Sequence, residues 1–269
     1  MSTPKNIVIT GGTRGLGYGL ADAFLKSGCR VVISGRSQSS VDQAVQSLAQ
    51  QHSAGQVFGV VCDMTLYAQV QALWDSAQQN LGSIDIWINN AGQSNTLTPF
   101  WELDPALIQA VVETNVTGSM YGAKVALTGL RAQGHGSLYN MEGFGSRGNR
   151  KQNGLTLYGT TKAAIAFLTD SLVAETRGSE VLVGSLSPGM VVTDMLLNQR
   201  SGDPADWERA KRAFNILAER VETVSPWLVM RVLANEHERK HGIRIARLTG
   251  LKIMWRLLSA PFIKRKVID

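Results

Sequence analysis

The sequence predicts an α/β fold: a doubly wound, mainly parallel, Rossmann-like sheet in a single domain, followed by a basic amphipathic C-terminal tail. Three observations carry this expectation. Short β-rich runs alternate with longer helical patterns over the first two thirds of the chain. Several of those runs are apolar without interruption, and the first ends in a glycine-rich turn that opens a helix. Uninterrupted apolar strands suit a parallel sheet covered on both faces, and the alternation implies right-handed βαβ crossovers.

In chain order, strands are expected at Asn6–Thr10, Arg30–Ser34, Gln56–Val61, Ile84–Asn89, Gly136–Asn140 and Val181–Leu186. Helices are expected at Gly15–Ser27, Val41–Gln51 and Leu66–Leu81. In the last, Val70, Leu73, Trp74 and Ala77 fall on one stripe, as a helix packed on a sheet requires. Beyond Pro188 the pattern loosens into helical segments at Asp194–Gln199 and Asp203–Arg220. The reading is one domain over 1–242 and a tail over 243–269, packed on that domain or contacting a membrane or another subunit. A length of 269 residues with 44% hydrophobic content suffices for one such domain.

Charge and cysteine content narrow the function classes. The net charge is +6, yet Arg239–Asp269 alone holds nine Lys or Arg against one acid. Basicity therefore belongs to the tail, and a nucleic-acid-binding domain is not expected. Two cysteines, Cys29 and Cys62, lie in core-like segments and read as reduced thiols, which fits a cytoplasmic or plastid-stroma-like compartment. No apolar run approaches the roughly 18 residues of a membrane span. Strand-like sequence begins by Asn6, so no signal or transit peptide is expected.

The turn Thr10-Gly-Gly-Thr-Arg-Gly-Leu-Gly17 spaces its glycines as Gly-x3-Gly-x-Gly. Glycines let backbone N–H groups approach a pyrophosphate, which rests at the positive end of the following helix. Gly11, Thr13, Arg14, Gly15, Leu16 and Gly17 are the candidate residues. An acid at the end of the second strand would accept the ribose 2′-hydroxyl and mark NAD. Here that strand ends Gly35-Arg36-Ser37, and Arg14 is expected near the same corner. Two guanidinium groups suit a 2′-phosphate, so the expected cofactor is NADPH/NADP+.

Tyr158 and Lys162 stand four residues apart at the start of a long amphipathic segment, hence on one helical face. A phenol titrates near 10 in water, and a neighbouring ammonium favours the phenolate. The pair therefore reads as a proton donor for a carbonyl oxygen that receives hydride on its carbon.

With these landmarks the chain resembles the short-chain dehydrogenase/reductase family over nearly its whole length. The resemblance rests on Thr10–Gly17, Asp63, Asn89-Asn90-Ala91-Gly92, Asn115, Tyr158/Lys162, and Pro188-Gly189 with Thr193. It implies that Asp63, with Met64 beside it, meets the adenine, and that Asn89, Ala91 and Gly92 support the sheet and cofactor. Asn115 would hold a water in a proton relay, Lys162 would also bind the nicotinamide ribose, and Thr193 in the Pro188–Gly189 loop would reach the carboxamide. Homo-oligomers through the Leu107–Leu130 and Leu155–Arg177 helices are implied as well.

One departure stands out. The family carries a catalytic serine where this chain has Gly143. The surrounding segment is Asn140-Met-Glu-Gly-Phe-Gly-Ser146. Ser146 could take the missing role, Glu142 could contact substrate, or the loop could be structural. This loop, with Ile84–Gly92, Ser187–Met190 and Leu248–Lys252, resembles the chlorophyll b reductase branch, in which an aspartate stands at the Glu142 position. That resemblance implies reduction of the 7-formyl group of chlorophyll b to 7-hydroxymethyl chlorophyll a.

An apolar segment at 194–220, with Met195, Leu196, Leu197, Trp207, Phe214 and Leu217, occupies the family's lid position. Phe144, Met190 and Met195 are candidate substrate contacts. In the tail, Leu248, Leu251, Met254, Trp255 and Leu258 recur at helical intervals among Arg244, Arg247, Lys252 and Arg256, with Lys264, Arg265 and Lys266 following. Such a segment can lie in a membrane interface with its cations towards anionic lipid, or pack on protein. His237-Glu-Arg-Lys-His241 matches a zinc-protease pattern, but Gly242 follows at once, no third ligand is evident, and no metal is expected. Two other readings stay open: reduction of another lipophilic carbonyl (steroid, quinone or 3-oxoacyl), and a non-catalytic NADP(H)-binding scaffold or sensor.

Overall fold

A computed structural model describes residues 4–53, 55–148, 151–198, 204–260, 262 and 265–268. Its centre is a seven-stranded sheet built from β1 (Asn6–Ile9), β2 (Arg30–Gly35), β3 (Val57–Val61), β4 (Ile86–Asn89), β5 (Gly136–Met141), β6 (Val181–Ser187) and a strand near the C-terminus, Arg244–Ala246. Every pairing in it is parallel, in the order β3-β2-β1-β4-β5-β6 followed by the C-terminal strand. Strand order reverses between β1 and β4, which opens a crevice at their carboxyl ends.

The apolar strands alternate between two buried layers, as the pleat demands. Ile7, Ile9, Val31, Ile33, Ile86 and Ile88 point to one face and Val8, Val32 and Trp87 to the other. The first layer is closed by α1 (Gly15–Lys26), α2 (Gln38–Ala49) and a helix at Val221–Glu238. The second is closed by α3 (Tyr67–Leu81) and a long helix at Gly118–Gln133. In α3 the expected stripe, Val70, Leu73, Trp74 and Ala77, is buried. A helix at Pro105–Val112 (α4) runs through a π-helical turn, Glu113–Thr117, into the Gly118–Gln133 helix (α5). Gly129 of α5 is pressed on Trp74: a Cβ there would lie 2.0 Å from the indole. The helix after β5 is α6 (Thr156–Glu175).

Six strands stand where the sequence places them, with ends shifted by a residue or two. The region beyond Pro188 is more ordered than its pattern suggests. After β7 (Val191–Val192) and α7 (Asp194–Leu197) come α8 (Pro204–Leu217), β8 (Glu219–Arg220), α9 (Val221–Glu238), β9 (Arg244–Ala246) and α10 (Gly250–Ser259). The expected helix over Asp203–Arg220 thus ends at Leu217, because Glu219 and Arg220 pair with β7. Gln199, Asp203 and Lys264, and the side chain of Trp207, lie outside the described residues.

Residues beyond the 242/243 boundary join the sheet. Arg244, Ile245 and Ala246 pair with Ser185, Leu186 and Ser187, so the start of the expected tail is the seventh strand of the sheet. Three residues are too few to show a period of two. α9 buries Val224, Leu228, Val229 and Val232 around an internal Pro226, which obscures its helical pattern in the sequence.

The cations of the amphipathic segment face the domain. Arg247, Lys252 and Arg256 turn inward onto the buried Glu219 carboxylate, at 2.9, 3.0 and 2.9 Å. Burial raises the carboxyl's pKa, but hydrogen bonds from Arg247 and Lys252 and the nearby cations outweigh it and hold it below the usual range. Outward, Leu251, Met254, Trp255, Leu258 and Phe262 are exposed. A carboxylate without solvent demands cations more strongly than an exposed surface does, and that demand sets the helix's facing. Among the described residues no helix is long and apolar enough to cross a membrane.

Candidate active site

The site begins at the glycine turn. Gly11 and Gly15 take left-handed backbone conformations, φ +64° and +56°, which side chains disfavour. Gly11 also lies against Ala91, where a Cβ would come within 2.8 Å of the Ala91 Cα. Asn90 clamps the turn: its amide donates to the carbonyls of Thr10 and Gly11 at 2.9 and 3.0 Å. The Thr10 hydroxyl in turn accepts the N–H groups of Asn90 and Ala91, both at 3.0 Å. The turn is thereby held at the N-terminus of α1, whose first N–H groups have no helical acceptor. Backbone donors, close glycines and a helix N-terminus together make a cradle that fits a dinucleotide pyrophosphate.

The neighbouring corner unites the other expected contacts. A Cβ on Gly35 would stand 2.5 Å from the Thr13 methyl, so the turn after β2 abuts the glycine turn. Arg14 and Arg36 are both exposed on these two turns, and Ser37 caps α2 by accepting the Ser40 N–H. Thr193 faces the glycine turn from the opposite side, near the Cβ position of Gly15. Pro188 is buried, and Gly189, with φ +79°, packs against Leu248. Leu16 is half-buried beside the core.

Other expected residues serve the frame. Asn89 is buried and fully bonded, accepting from the Trp87 indole and donating to the Ser119 carbonyl and Asn140. Its side chain supports the sheet. One Asp63 oxygen accepts the Thr65 N–H and hydroxyl, which orders the end of β3. Met64 points into the core against Gly118 and Gly122, so only its backbone can face a nucleotide.

Tyr158 and Lys162 meet at the end of β5. Lys162 is buried, and its ammonium donates to the Met141 carbonyl at 3.0 Å while lying 5.8 Å from the Tyr158 ring centre. Gly92 adjoins both this ammonium and Asn115. Asn115 stands in the π-helical turn, bonded to the Gln93 backbone through both amide atoms and to the Thr161 hydroxyl at 3.0 Å. Thr161 hands the connection to the Tyr158 carbonyl at 2.8 Å.

The expected acidity of Tyr158 is corrected by this geometry. Burial pushes the phenol up to about 12. Burial likewise brings Lys162 down to about 8, opposed by the charge of Glu142. An ammonium one helical turn away attracts a phenolate, but desolvation dominates here.

Gly143 has a physical reason. A Cβ there would lie 2.4 Å from the Tyr158 hydroxyl and 3.1 Å from Lys162 Cγ. Tyr158 occupies the space that a side chain at 143 would need. Ser146 is buried in the same turn, its hydroxyl accepting the Gly143 N–H at 3.0 Å. Glu142 does not face a substrate. Its side chain is fully buried, taken by Arg244 at 2.7 Å, Arg147 at 3.1 Å and Ser185 at 3.0 Å. Phe144 is half-buried next to this turn, Met190 packs with Phe214 of α8, and Met195 is exposed. The two histidines of the zinc-like pattern separate: Arg239 turns left-handed and ends α9, and His241 bonds to the Val173 carbonyl.

Comparison with known proteins agrees with this geometry. The short chain dehydrogenase family pattern matches residues 5–204. Chlorophyll(ide) b reductase NOL of Oryza sativa subsp. japonica is 40% identical over 96% of this chain and 76% of its own length. A probable chlorophyll(ide) b reductase NYC1 from the same species is 38% identical over 96% of this chain, which spans about half of that longer protein. A 3alpha-hydroxysteroid dehydrogenase of Mediterraneibacter gnavus is 32% identical over 71% of the chain. Among solved structures, levodione reductase superposes with a TM-score of 0.83 at 22% identity, covering 94% of this chain and 99% of its own.

Gly143→Ser should not restore a missing group but crowd Tyr158, destabilising the fold by about 1–3 kcal/mol. Urea denaturation measures this. An unchanged midpoint would show that Tyr158 yields easily.

Proposed function

The chain belongs to the short-chain dehydrogenase/reductase family and is an oxidoreductase that uses a nicotinamide cofactor, and we propose that it is an NADPH-dependent reductase of the 7-formyl group of chlorophyll b. The carrying observation for the chemistry is the convergence of Tyr158, Lys162 and Asn115 beside the glycine turn. For the substrate it is similarity along almost the whole chain to chlorophyll(ide) b reductases.

The glycine turn and the first N–H groups of α1 would hold the pyrophosphate, and Arg14 and Arg36 the adenosine 2′-phosphate. Asp63, Gly92 and Thr193 would line the rest of the cofactor's path. When bound, the nicotinamide supplies the hydride. Tyr158 gives the proton to the aldehyde oxygen. A phenol held near 12 in the buried site stays protonated at neutral pH and is thus loaded as the acid. Lys162 keeps a positive charge near the phenolate left behind, and Asn115, through Thr161, holds the first turn of α6 in place. Ser146 is the hydroxyl offered to the substrate carbonyl where the family's serine is replaced by Gly143.

A lipophilic pigment also gives meaning to α10. We infer that its exposed Leu251, Trp255 and Leu258 rest on the lipid surface that carries the substrate, adjacent to the lid helix α8. Contact would be apolar, because the helix's cations are taken by Glu219. The buried free thiols Cys29 and Cys62, both pushed up by burial, suit a reducing, plastid-stroma-like setting. Self-association would use α4, α5 and α6, where Met120 and Phe167 are exposed.

Incubation with NADPH and chlorophyll b should produce the absorbance change of aldehyde reduction, and Tyr158→Phe should abolish it while retaining NADPH binding. Turnover of a steroid or 3-oxoacyl substrate instead would replace the pigment reading. Arg36→Asp should weaken NADPH by at least about tenfold and leave NADH within about twofold, as loss of one guanidinium–phosphate pair requires. The protein should co-sediment with neutral phospholipid vesicles, and Trp255→Asp/Leu258→Asp should release it. Binding indifferent to these changes would remove the membrane role of α10.

A further inference from the structure

We propose that Glu142 is a positioning residue of the reductase: its buried carboxylate, clasped by Arg244, Arg147 and Ser185, fixes the strip 141–143 against which Lys162 and Tyr158 are set and keeps a negative charge behind the Lys162 ammonium. The assignment rests on the catalytic roles proposed above for that pair, and it replaces the expectation that Glu142 touches substrate.

The geometry is specific. Residue 141 offers its carbonyl to the Lys162 ammonium at 3.0 Å. Residue 143 is the glycine on which the Tyr158 hydroxyl rests. Between them, Glu142 anchors the strip on every side. Its N–H donates to the Leu186 carbonyl at 2.8 Å. One carboxylate oxygen receives Arg244 from β9, through Nε at 2.8 Å and Nη2 at 2.7 Å. The other receives the Ser185 hydroxyl from β6 and Arg147 from the turn after β5. Arg147 continues to Asp170 of α6 at 2.8 Å, and Arg244 to the Ser187 hydroxyl at 3.0 Å. Four elements are thus tied to the peptides that seat both reacting side chains.

A buried carboxylate with two guanidinium groups could serve stability alone, but its position gives it an electrical consequence too. Among the described residues, the titratable and charged groups facing this centre are Tyr158 on α6, Glu142 beyond β5, Arg147 and Arg244 on Glu142's far side, and Asp170 behind Arg147. Burial lowers Lys162 to about 8 and the Glu142 charge opposes that fall. Glu142 itself is raised by burial but held below the usual carboxylate range by hydrogen bonds and charge from Arg244, Ser185 and Arg147. It therefore remains an anion wherever Lys162 titrates.

Two substitutions have opposite electrical signs. Glu142→Gln removes the anion and should move the Lys162 titration to lower pH. Arg147→Met removes a cation from the same carboxylate and should move it to higher pH. Both are read by 13Cε-lysine NMR of the protein saturated with NADP+, and by the basic limb of the pH profile for reduction. That limb falls as pH rises through the Lys162 midpoint, since the ammonium is the working form. Glu142→Gln should also lower kcat at neutral pH at least about tenfold, with KM for NADPH within about twofold, the mark of an interaction used at the chemical step. Glu142→Asp, which keeps the charge, should leave the midpoint near that of the parent and recover part of kcat.

Simple loosening of the fold would move both midpoints the same way, and that result, or no movement in either, overturns the proposal. Should Glu142→Gln fail to fold, Arg147→Met and Glu142→Asp still decide: an Arg147→Met midpoint that does not rise refutes the charge coupling. The NMR titration needs no pigment. Opposite shifts without chlorophyll b turnover would discard the substrate reading and leave this one standing.

Discussion

The close approach of α6 to the end of β5 is the constraint on which the rest of the site depends. Tyr158 can lie flat on the strip only because residue 143 has no side chain, and Lys162 can reach the Met141 carbonyl only from the same helix face. The loop Gly143–Ser146 reinforces this from above: a Cβ on Gly145 would meet the Gly159 backbone at 2.6 Å. Backbone against backbone leaves little freedom for the half-buried phenol. Burial raises the pKa of the phenol and lowers that of the ammonium.

Sheet topology delivers the cofactor cradle to this point. Because β1 and β4 are neighbours, the glycine turn after one and the Asn90-Ala91-Gly92 turn after the other are bonded together through Thr10. Gly92 then adjoins Asn115 and Lys162, so a single continuous surface runs from the N-terminus of α1 to the proposed acid. Asn115 occupies a π-helical turn, a distortion common where a helix must aim a side chain at a site.

Two buried carboxylates hold the C-terminal part to this core. Glu142 recruits β9 through Arg244, and Glu219 gathers Arg247, Lys252 and Arg256 beside the end of α8. Each anion is buried at a junction between distant segments, where an unpaired charge would cost several kcal/mol. Glu219's demand for cations turns α10 inside out relative to an ordinary basic amphipathic helix and leaves its apolar side to solvent.

By itself the sequence determined the parallel sheet through six of its seven strands, the glycine turn, and the pairing of Tyr158 with Lys162. These are local or periodic features: apolar runs, a turn that needs glycine, a spacing of one helical turn. The tertiary structure alone decided what depends on distant neighbours. Arg244–Ala246 is a strand because β6 offers an open edge, not because three residues carry a pattern. Glu142 and the tail cations face inward because carboxylates and guanidinium groups many positions apart share one desolvated space. Gly143 reads as a lost serine until the Tyr158 hydroxyl is seen filling its place. Desolvation of the Lys162 ammonium is a property of the packed whole and is invisible in the order of residues.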